Sequence, residues 1–265
     1  MSAVRPPSPW RRLWRGTWPK LAALALVLAG WQTVVLTGWR PDYLLPGPVP
    51  VFQALGGYLH DPGFYQGVGT TLSRAASGFG IAILIGTALG VAVSRVAPLR
   101  AAVGSLLAAL QSMPSIAWFP FAILLFGISE VSIGFVVVLG AAPAIANGAI
   151  HGIDHIPPAL VRSGRSLGAR GISLYRYVVL PAALPSFVAG LKQGWAFSWR
   201  SLMAGELLVN FGNRALGAQL NNAREFTDAP GLLATMVVIL VIGMAVDGVF
   251  GAIDGALRRR RGLLG

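Results

Sequence analysis

Residues 156–185 read IPPALVRSGRSLGARGISLYRYVVLPAALP, a basic, glycine-containing segment between two apolar runs. Pro157 and Pro158 suit the first turn of a helix, where a missing backbone N–H costs least. Gly168 can end that helix, since glycine adopts a left-handed conformation without strain. The pattern predicts a short basic helix, a glycine turn and a second short run from residue 172. Between membrane spans, such a unit is either a docking surface for a cytoplasmic partner or a charged loop that only fixes the topology.

The composition places the chain in a membrane. Hydrophobic residues make up 55% of its 265 residues and charged residues only 11%, whereas soluble domains carry about 25% charge. The net charge of +12 does not indicate nucleic-acid binding, because the basic residues lie at the ends of apolar runs rather than on one face. The lack of cysteine excludes a disulfide framework, a thiolate metal site and a thiol nucleophile. Three scattered histidines do not form a metal cluster either, so no metal site is expected.

Apolar runs predict six membrane-spanning helices. They cover approximately residues 21–39, 69–94, 101–127, 131–150, 185–209 and 231–257. The first two are joined by residues 40–67, which are dense in proline and glycine and are predicted to form an external connection. Pro114 and Pro120 interrupt the third run, and Pro143 lies in the fourth. Prolines free backbone groups that only protein or water can satisfy in a membrane, which indicates a transport pathway, although plain structural spans are often kinked as well.

The distribution of charge orients the spans and divides the chain. With both termini in the cytoplasm, most basic residues outside the spans lie on the inner side, whereas Arg40, Arg214 and Arg224 lie on the outer side. This agrees with the rule that cytoplasmic loops carry the excess of lysine and arginine. The predicted organisation is a cytoplasmic tail at 1–20, a six-helix transmembrane domain at 21–257 and a basic cytoplasmic C-terminus at 258–265.

Three basic residues, Arg74, Lys192 and Arg200, fall inside the predicted spans. Arg74 is close enough to the outer end of its span to extend its charge to the interface. An arginine at the bilayer centre costs about 2.5–3.5 kcal/mol on insertion scales, so Arg200 is expected to face the bundle interior or a wet cavity. One interpretation pairs Arg200 with a carboxylate, either Glu206 or Asp247, in a structural role. The other places Arg200 and its neighbours along a route for an anion.

The interrupted third run and the polar residues of the later runs together define a predicted translocation pathway. Its residues are Ser112, Met113, Pro114, Asn147, Lys192, Trp195, Trp199, Arg200 and Glu206. The sequence contains no GxxxxGK[ST] phosphate loop. It also contains no Ser/His/Asp or paired-carboxylate constellation at a plausible site. The chain is therefore expected neither to hydrolyse ATP itself nor to be an enzyme of another kind.

The segment RSGRSLGA at 162–169, followed by VVLPAALP at 178–185, resembles the EAA loop of ABC importer permeases. That loop reads E-A-A-x-x-x-G, with an apolar-Leu-Pro ending some residues later. Four further stretches look like the permeases for nitrate, sulfonates and taurine: LLPGPVPV at 44–51, TTLSRAASGFGIAILIGTALG at 70–90, QSMPSIAWFPFAILLFGIS at 111–129 and GLKQGWAFSWRSLMAGELL at 190–208. The resemblance covers nearly the whole chain. Its motifs are specific for the superfamily and weak for a particular substrate.

The resemblance implies an all-α polytopic membrane protein of the type I ABC importer kind, with a cytoplasmic coupling loop at 156–185. Two permease copies, as a homodimer, would bind two ATPase subunits that carry ATP and magnesium. An extracytoplasmic binding protein would deliver a small anionic solute, such as an aliphatic sulfonate, taurine or nitrate. The permease itself would bind no cofactor and would lie in a bacterial inner membrane. The residues implied in ATPase coupling are Arg162, Ser163, Gly164, Arg165, Leu167, Gly168 and Ala169.

The coupling loop departs from the family pattern at its beginning. Arg162, Ser163 and Gly164 stand where the family usually has Glu-Ala-Ala, whereas the loop glycine is kept as Gly168. The reversed charge at Arg162 implies either an ATPase with a matching acidic residue or a surface-facing position. An ATP-independent secondary transporter or channel stays the alternative function, although such a protein would need no coupling loop.

Overall fold

The computed structural model describes residues 9–209 and 215–260, and their regular structure is entirely helical. The helices are α1 (Pro9–Leu36), α2 (Pro48–Tyr58), α3 (Pro62–Arg95), α4 (Ala97–Ser112), α5 (Phe119–Phe126), α6 (Glu130–Asp154), α7 (Pro158–Ser166), α8 (Ile172–Leu174), α9 (Leu180–Leu208), α10 (Leu216–Glu225) and α11 (Ala229–Arg260). A short 3₁₀ turn, Ser115–Trp118, precedes α5. A π-helical turn, Tyr175–Val179, joins α8 to α9.

The chain divides into two compact units. Of the described residues, the first comprises 9–61 and 222–235, and the second comprises 62–209, 215–221 and 236–260. In the first unit, the Tyr58 hydroxyl donates a hydrogen bond to the Gly231 carbonyl over 3.1 Å. The second unit contains the main hydrophobic core.

Within residues 9–209 and 215–260, five helical segments are long and apolar enough to span a membrane, and there are six if the bent pair formed by α4 and α5 counts as one span. The five are Thr17–Leu36, Pro62–Arg95, Glu130–Asp154, Ile172–Leu208 and Ala229–Leu257. The predicted all-α polytopic fold is therefore confirmed. The side of the membrane on which each terminus lies stays a prediction.

The third predicted span is broken into two helices that meet at 100°. The break lies at Met113 and Pro114, whose backbones are extended, with ψ values of 132° and 126°. Pro120, in contrast, lies in the first turn of α5, and Pro143 lies inside the continuous helix α6. Of these three prolines, only Pro114 accompanies an interruption of the helix.

The proline-rich connection predicted at 40–67 contains helical structure that the turn signals did not indicate. Pro48 and Pro50 lie in the first turn of α2, where proline is compatible with a helix. Pro62 similarly begins α3, seven residues before the predicted start of that span. The prolines in this segment therefore start helices as well as separating them.

Helix α6 is the central helix of the second unit and packs against α3 and α9. Its approach to α9 leaves no room for a side chain, since a Cβ on Gly148 would lie 2.6 Å from the Cα of Gly190. Its approach to α3 is equally close, since a Cβ on Gly86 would lie 2.6 Å from the Ala142 carbonyl oxygen. Small residues at such crossings let helix backbones pack directly in a membrane.

We expect Gly148→Ala to destabilise the protein and Gly134→Ala, on the same helix, to leave it unchanged or slightly more stable. The methyl group at 148 would meet the Gly190 backbone, and overpacking of this kind costs about 1–3 kcal/mol. A Cβ at 134 would meet no atom within 4 Å, and alanine favours a helix over glycine by roughly 0.5–1 kcal/mol. Thermal unfolding midpoints in detergent measure both effects. Equal midpoints for the two variants would contradict the close approach of α6 and α9.

Candidate functional site

Helix α7 and the turn after it form an exposed basic surface, which we call the α7 surface (residues 158–177). The helix begins at Pro158 and ends at Ser166, and Gly168 follows with a positive φ of 88°. The Ala169 amide donates a hydrogen bond to the Gly164 carbonyl over 3.0 Å, which closes the turn. The predicted helix, glycine turn and second short helix are therefore present.

The α7 surface combines apolar side chains with a single sign of charge. Leu167 and Ile172 are 88% and 87% exposed. Four arginines are exposed around them: Arg162, Arg165, Arg170 and Arg176. Residues 158–177 contain no acidic residue. Large apolar side chains held in the open among charges are typical of a surface that binds a partner.

The predicted coupling residues divide according to the direction in which they face. Gly164 faces inward, since a Cβ there would lie 2.8 Å from Val178 Cγ2 and 3.2 Å from Leu174 Cδ1. The alanine that the family usually has at this position would therefore displace Val178. Ala169 is half-buried, and the other coupling residues are exposed. Because Arg162 is exposed, its reversed charge lies on the surface and needs no compensation within the permease.

At the opposite end of α6, a buried carboxylate on α9 connects α3, α6 and α10. The Glu206 side chain is fully buried on α9 and accepts hydrogen bonds from the Thr71 hydroxyl (2.9 Å), the Arg74 guanidinium (3.1 Å) and the Gly217 amide (3.1 Å). Arg74 also donates to Glu130 at the start of α6, over 2.6 Å. The network ties α3, α6 and α9 to the beginning of α10.

The network shows the partners of the charged residues in the spans. The Arg74 guanidinium is held between the buried Glu206 and the exposed Glu130, and whether it reaches the interface stays a prediction. Arg200 does not pair with Glu206 or Asp247, because Glu206 is bound to Arg74, and the Asp247 carboxylate lies 3.2 Å from the Lys192 ammonium. Arg200 and Glu206 are six residues apart on α9, and such positions do not share a helix face.

The tryptophans of α9 are core residues rather than part of an exposed lining. Trp195 and Trp199 are buried and stack with ring centroids 5.8 Å apart. Trp195 also meets Phe79 edge to face, with centroids 5.4 Å apart. Lys192 instead lines a cavity of about 350 Å³ together with Asp247. The structure therefore does not bring Lys192, the tryptophans and Arg200 together along one route in this chain.

Among the predicted pathway residues, those at the break between α4 and α5 lie next to other polar side chains. Met113 lines a small cavity there with Gln111, Ser115 and Phe197. The Ser201 Oγ lies 2.8 Å from the Ser115 Oγ. The remaining predicted pathway residues are not part of this lining: Ser112 is exposed at the end of α4, Pro114 is exposed at the break, and Asn147 is half-buried on α6.

Sequence reasoning missed the partners of Glu206 and the serine pair. A signal for the first was present, because Thr71 and Arg74 are three residues apart and share one face of α3. An arginine and a glutamate in neighbouring spans also require partners. No comparable signal existed for Ser115 and Ser201, since single serines are common in spans and tolerated without a polar partner.

These features define a polytopic helical membrane protein with no metal-binding cluster in the part of the chain that the structure describes. Comparison with known proteins shows to which family of membrane proteins the chain belongs. Residues 65–259 match the family model described as binding-protein-dependent transport system inner membrane component, and the chain belongs to that family.

Three relatives illustrate the family. The chain is 28% identical to the taurine transport system permease protein TauC of Escherichia coli, over 89% of this chain and 90% of TauC. It is 31% identical to the riboflavin transport system permease protein RibX of Chloroflexus aurantiacus, over 94% and 93%. It is 25% identical to the nitrate import permease protein NrtB of a Synechocystis species, over 85% and 83%. The predicted resemblance to nitrate-, sulfonate- and taurine-type ABC permeases is confirmed.

The fold is similar to that of a chain in the MetNI methionine ABC transporter, solved in inward-facing conformations. The TM-score is 0.61 at 22% identity, and the match covers 73% of this chain and 95% of that chain. At this identity the similarity concerns the fold alone. It supports the all-α polytopic fold that the arrangement of the helices also shows.

We expect Glu206→Gln to lower the free energy of unfolding strongly, with Glu130→Gln as its matched control. Both residues contact Arg74, but the Glu206 side chain is fully buried, whereas that of Glu130 is 65% exposed. Removing one charge of a buried pair costs about 3 kcal/mol or more, whereas an exposed pair contributes about 0–1 kcal/mol. Thermal unfolding of the purified variants measures the difference. A larger loss of unfolding free energy for Glu130→Gln than for Glu206→Gln would contradict the central role of Glu206 in the network.

Proposed function

We propose that the chain is the permease subunit of an ATP-driven importer and forms the translocation pathway for a small anionic solute, such as an aliphatic sulfonate, taurine or nitrate. Two copies form a homodimer that binds two ATPase subunits, which carry ATP and magnesium. An extracytoplasmic binding protein delivers the solute. The permease lies in a bacterial inner membrane with both termini and the α7 surface in the cytoplasm.

The observation that carries this proposal is the exposure of Leu167 and Ile172 on the α7 surface. A loop that only fixed topology would need positive charge and no exposed apolar side chains. Two exposed aliphatic groups among four arginines instead suit a protein groove with an apolar floor and an acidic rim. Such a surface favours a coupling partner over an ATP-independent transporter.

The position of the α7 surface supports a mechanical form of coupling. Its chain connects the end of α6 to the beginning of α9, and Gly164 packs against Leu174 and Val178 just before α9. When ATP binding closes the ATPase dimer, the two α7 surfaces move together and displace these helix ends. The bundle then changes between inward-facing and outward-facing states. Leu167 and Gly168 transmit force in this scheme and take part in no chemical step.

The choice of an anion rests on two kinds of observation. TauC and NrtB carry taurine and nitrate in their names, but RibX carries riboflavin, so similarity to relatives does not select the solute by itself. Within this chain, Arg200 is an exposed cation of α9 that has no ion-pair partner among the described residues. An arginine at such a position favours a pathway for negative charge.

We expect the double variant Leu167→Ser, Ile172→Ser to reduce the amount of ATPase that co-purifies with the chain and to abolish hydrolysis stimulated by the binding protein. Both side chains are exposed, so the unfolding midpoint of the permease itself should not change. Phe226→Ser is the control, because Phe226 is also an exposed apolar residue but lies on the predicted opposite side of the membrane. If the same amount of ATPase co-purified with the double variant, the proposed ATPase-binding role of the α7 surface would be contradicted, and an ATP-independent transporter would be favoured.

We expect Arg162→Glu to weaken the association with the ATPase at low salt. The matching rim of the partner is acidic in this proposal, so the reversed charge is repelled. The loss should shrink toward 1 M salt, where the screening length falls to about 3 Å. Arg162→Lys keeps the charge and should keep most of the affinity. Titration of detergent-solubilised permease with ATPase measures this, and equal affinities for the two variants would exclude an acidic partner for Arg162.

A further inference from the structure

The break between α4 and α5 gathers polar groups inside the second unit. The Gln111 amide nitrogen is buried and has no hydrogen-bond partner among the described residues. Ser115 lies on the 3₁₀ turn after the break and faces Ser201 of α9 at 2.8 Å. Gly140 of α6 makes room for this contact, since a Cβ there would lie 2.8 Å from the Ser201 hydroxyl. The Ser201 hydroxyl also lies 2.8 Å from the Phe197 carbonyl oxygen, so the two serines have partners within the protein. Lipid offers nothing to an unpaired donor, so the Gln111 amide indicates contact with water or a polar solute.

Arg200 adds a positive charge next to one residue of this lining. Its guanidinium lies 5.8 Å from the ring centre of Phe197, and Phe197 lines the cavity at the break. Arg200 itself is exposed and is not part of the cavity lining. Arg200 lies eight residues before the end of α9, a distance of about 12 Å at 1.5 Å per residue. It has no ion-pair partner within the described part of the chain. An unneutralised cation at this depth requires water or a mobile anion beside it.

We propose that Gln111, Ser115, Phe197, Arg200 and Ser201 form an anion-selective constriction that contacts the solute as it passes. The proposal rests on the proposed function, which supplies a solute and a pathway. Guanidinium and amide nitrogens are donors only, and hydroxyl groups can turn their protons toward an acceptor, so the set suits sulfonate or nitrate oxygens. Gln111, Ser115 and Phe197 line the cavity at the break, whereas Ser201 reaches it through Ser115 and Arg200 lies next to Phe197. The cavity holds about 10 Å³, which is room for one water molecule, so it is closed in this structure.

The larger cavity beside Lys192 does not serve the same purpose. Lys192 is neutralised by Asp247 at 3.2 Å, and Asp254 lines the same cavity. Two carboxylates against one ammonium group disfavour an anion. The two cations of α9 therefore differ in their ion pairing. Lys192 is paired with a carboxylate, whereas Arg200 is available to bind an anion.

The selectivity of the constriction can be measured without knowing the solute. The chain contains no cysteine, so Met113→Cys introduces a single thiol at a 45% exposed position that lines the cavity. The probes are the anionic sulfonatoethyl methanethiosulfonate and the cationic trimethylammonium-ethyl methanethiosulfonate. They are applied to the chain co-purified with its ATPase in lipid vesicles, and each rate is divided by the rate of the same reagent with a free small thiol. We expect Arg200→Gln to lower the anionic-to-cationic ratio about tenfold and Arg200→Lys to preserve it.

Phe226→Cys is the matched control, because Phe226 is an 82% exposed residue outside the predicted spans and does not line the cavity. Its ratio should not depend on residue 200. The inference is overturned if Arg200→Gln keeps its unfolding midpoint and leaves the ratio at Met113→Cys unchanged. It is also overturned if Met113→Cys reacts with neither reagent. The amount of co-purified ATPase is measured in the same preparations. Absence of the ATPase would contradict the proposed function, whereas the ratio of labelling rates tests the constriction independently.

Discussion

The direct packing of α6 against α9 is the constraint on which the rest of the second unit depends. Gly148 and Gly190 meet without room for a methyl group between them. In lipid, helices gain little from burying apolar surface against one another, so close packing and buried polar contacts hold them together. The Glu206 network adds such contacts at one end of α6, and the α7 surface connects α6 to α9 at the other. A displacement of α7 therefore reaches two helices that cannot slide freely past each other.

The elements that the sequence predicts well depend on local chemistry. Long apolar runs located the spans because the thickness of a bilayer sets the length of a helix that crosses it. The helix at Pro158 and the turn at Gly168 followed from the conformations that proline and glycine favour. The break at Pro114 was visible for the same reason. Prolines were less informative in residues 40–67, where Pro48 begins a helix instead of a loop.

The elements that the sequence did not predict depend on which helix faces meet. The charges of Arg200 and Glu206 are close along the chain, yet Glu206 binds Arg74 from a helix more than 130 residues earlier. Trp195 reads equally well as a pathway residue and as a core residue, and only its contact with Phe79 distinguishes the two. The polar groups at the break come from α4, the following turn and α9. No spacing within a single helix indicates such a convergence.

The α7 surface as the binding site of an ATP-hydrolysing subunit is the central claim, and a single thiol at its apex tests it most directly. Because the chain has no cysteine of its own, Leu167→Cys can be labelled with a maleimide in membranes with and without the purified ATPase. We expect saturating ATPase to slow labelling at 167 at least about tenfold by mass action, while Phe226→Cys labels at the same rate in both samples. An unchanged labelling rate at 167 in the presence of the ATPase would contradict the claim.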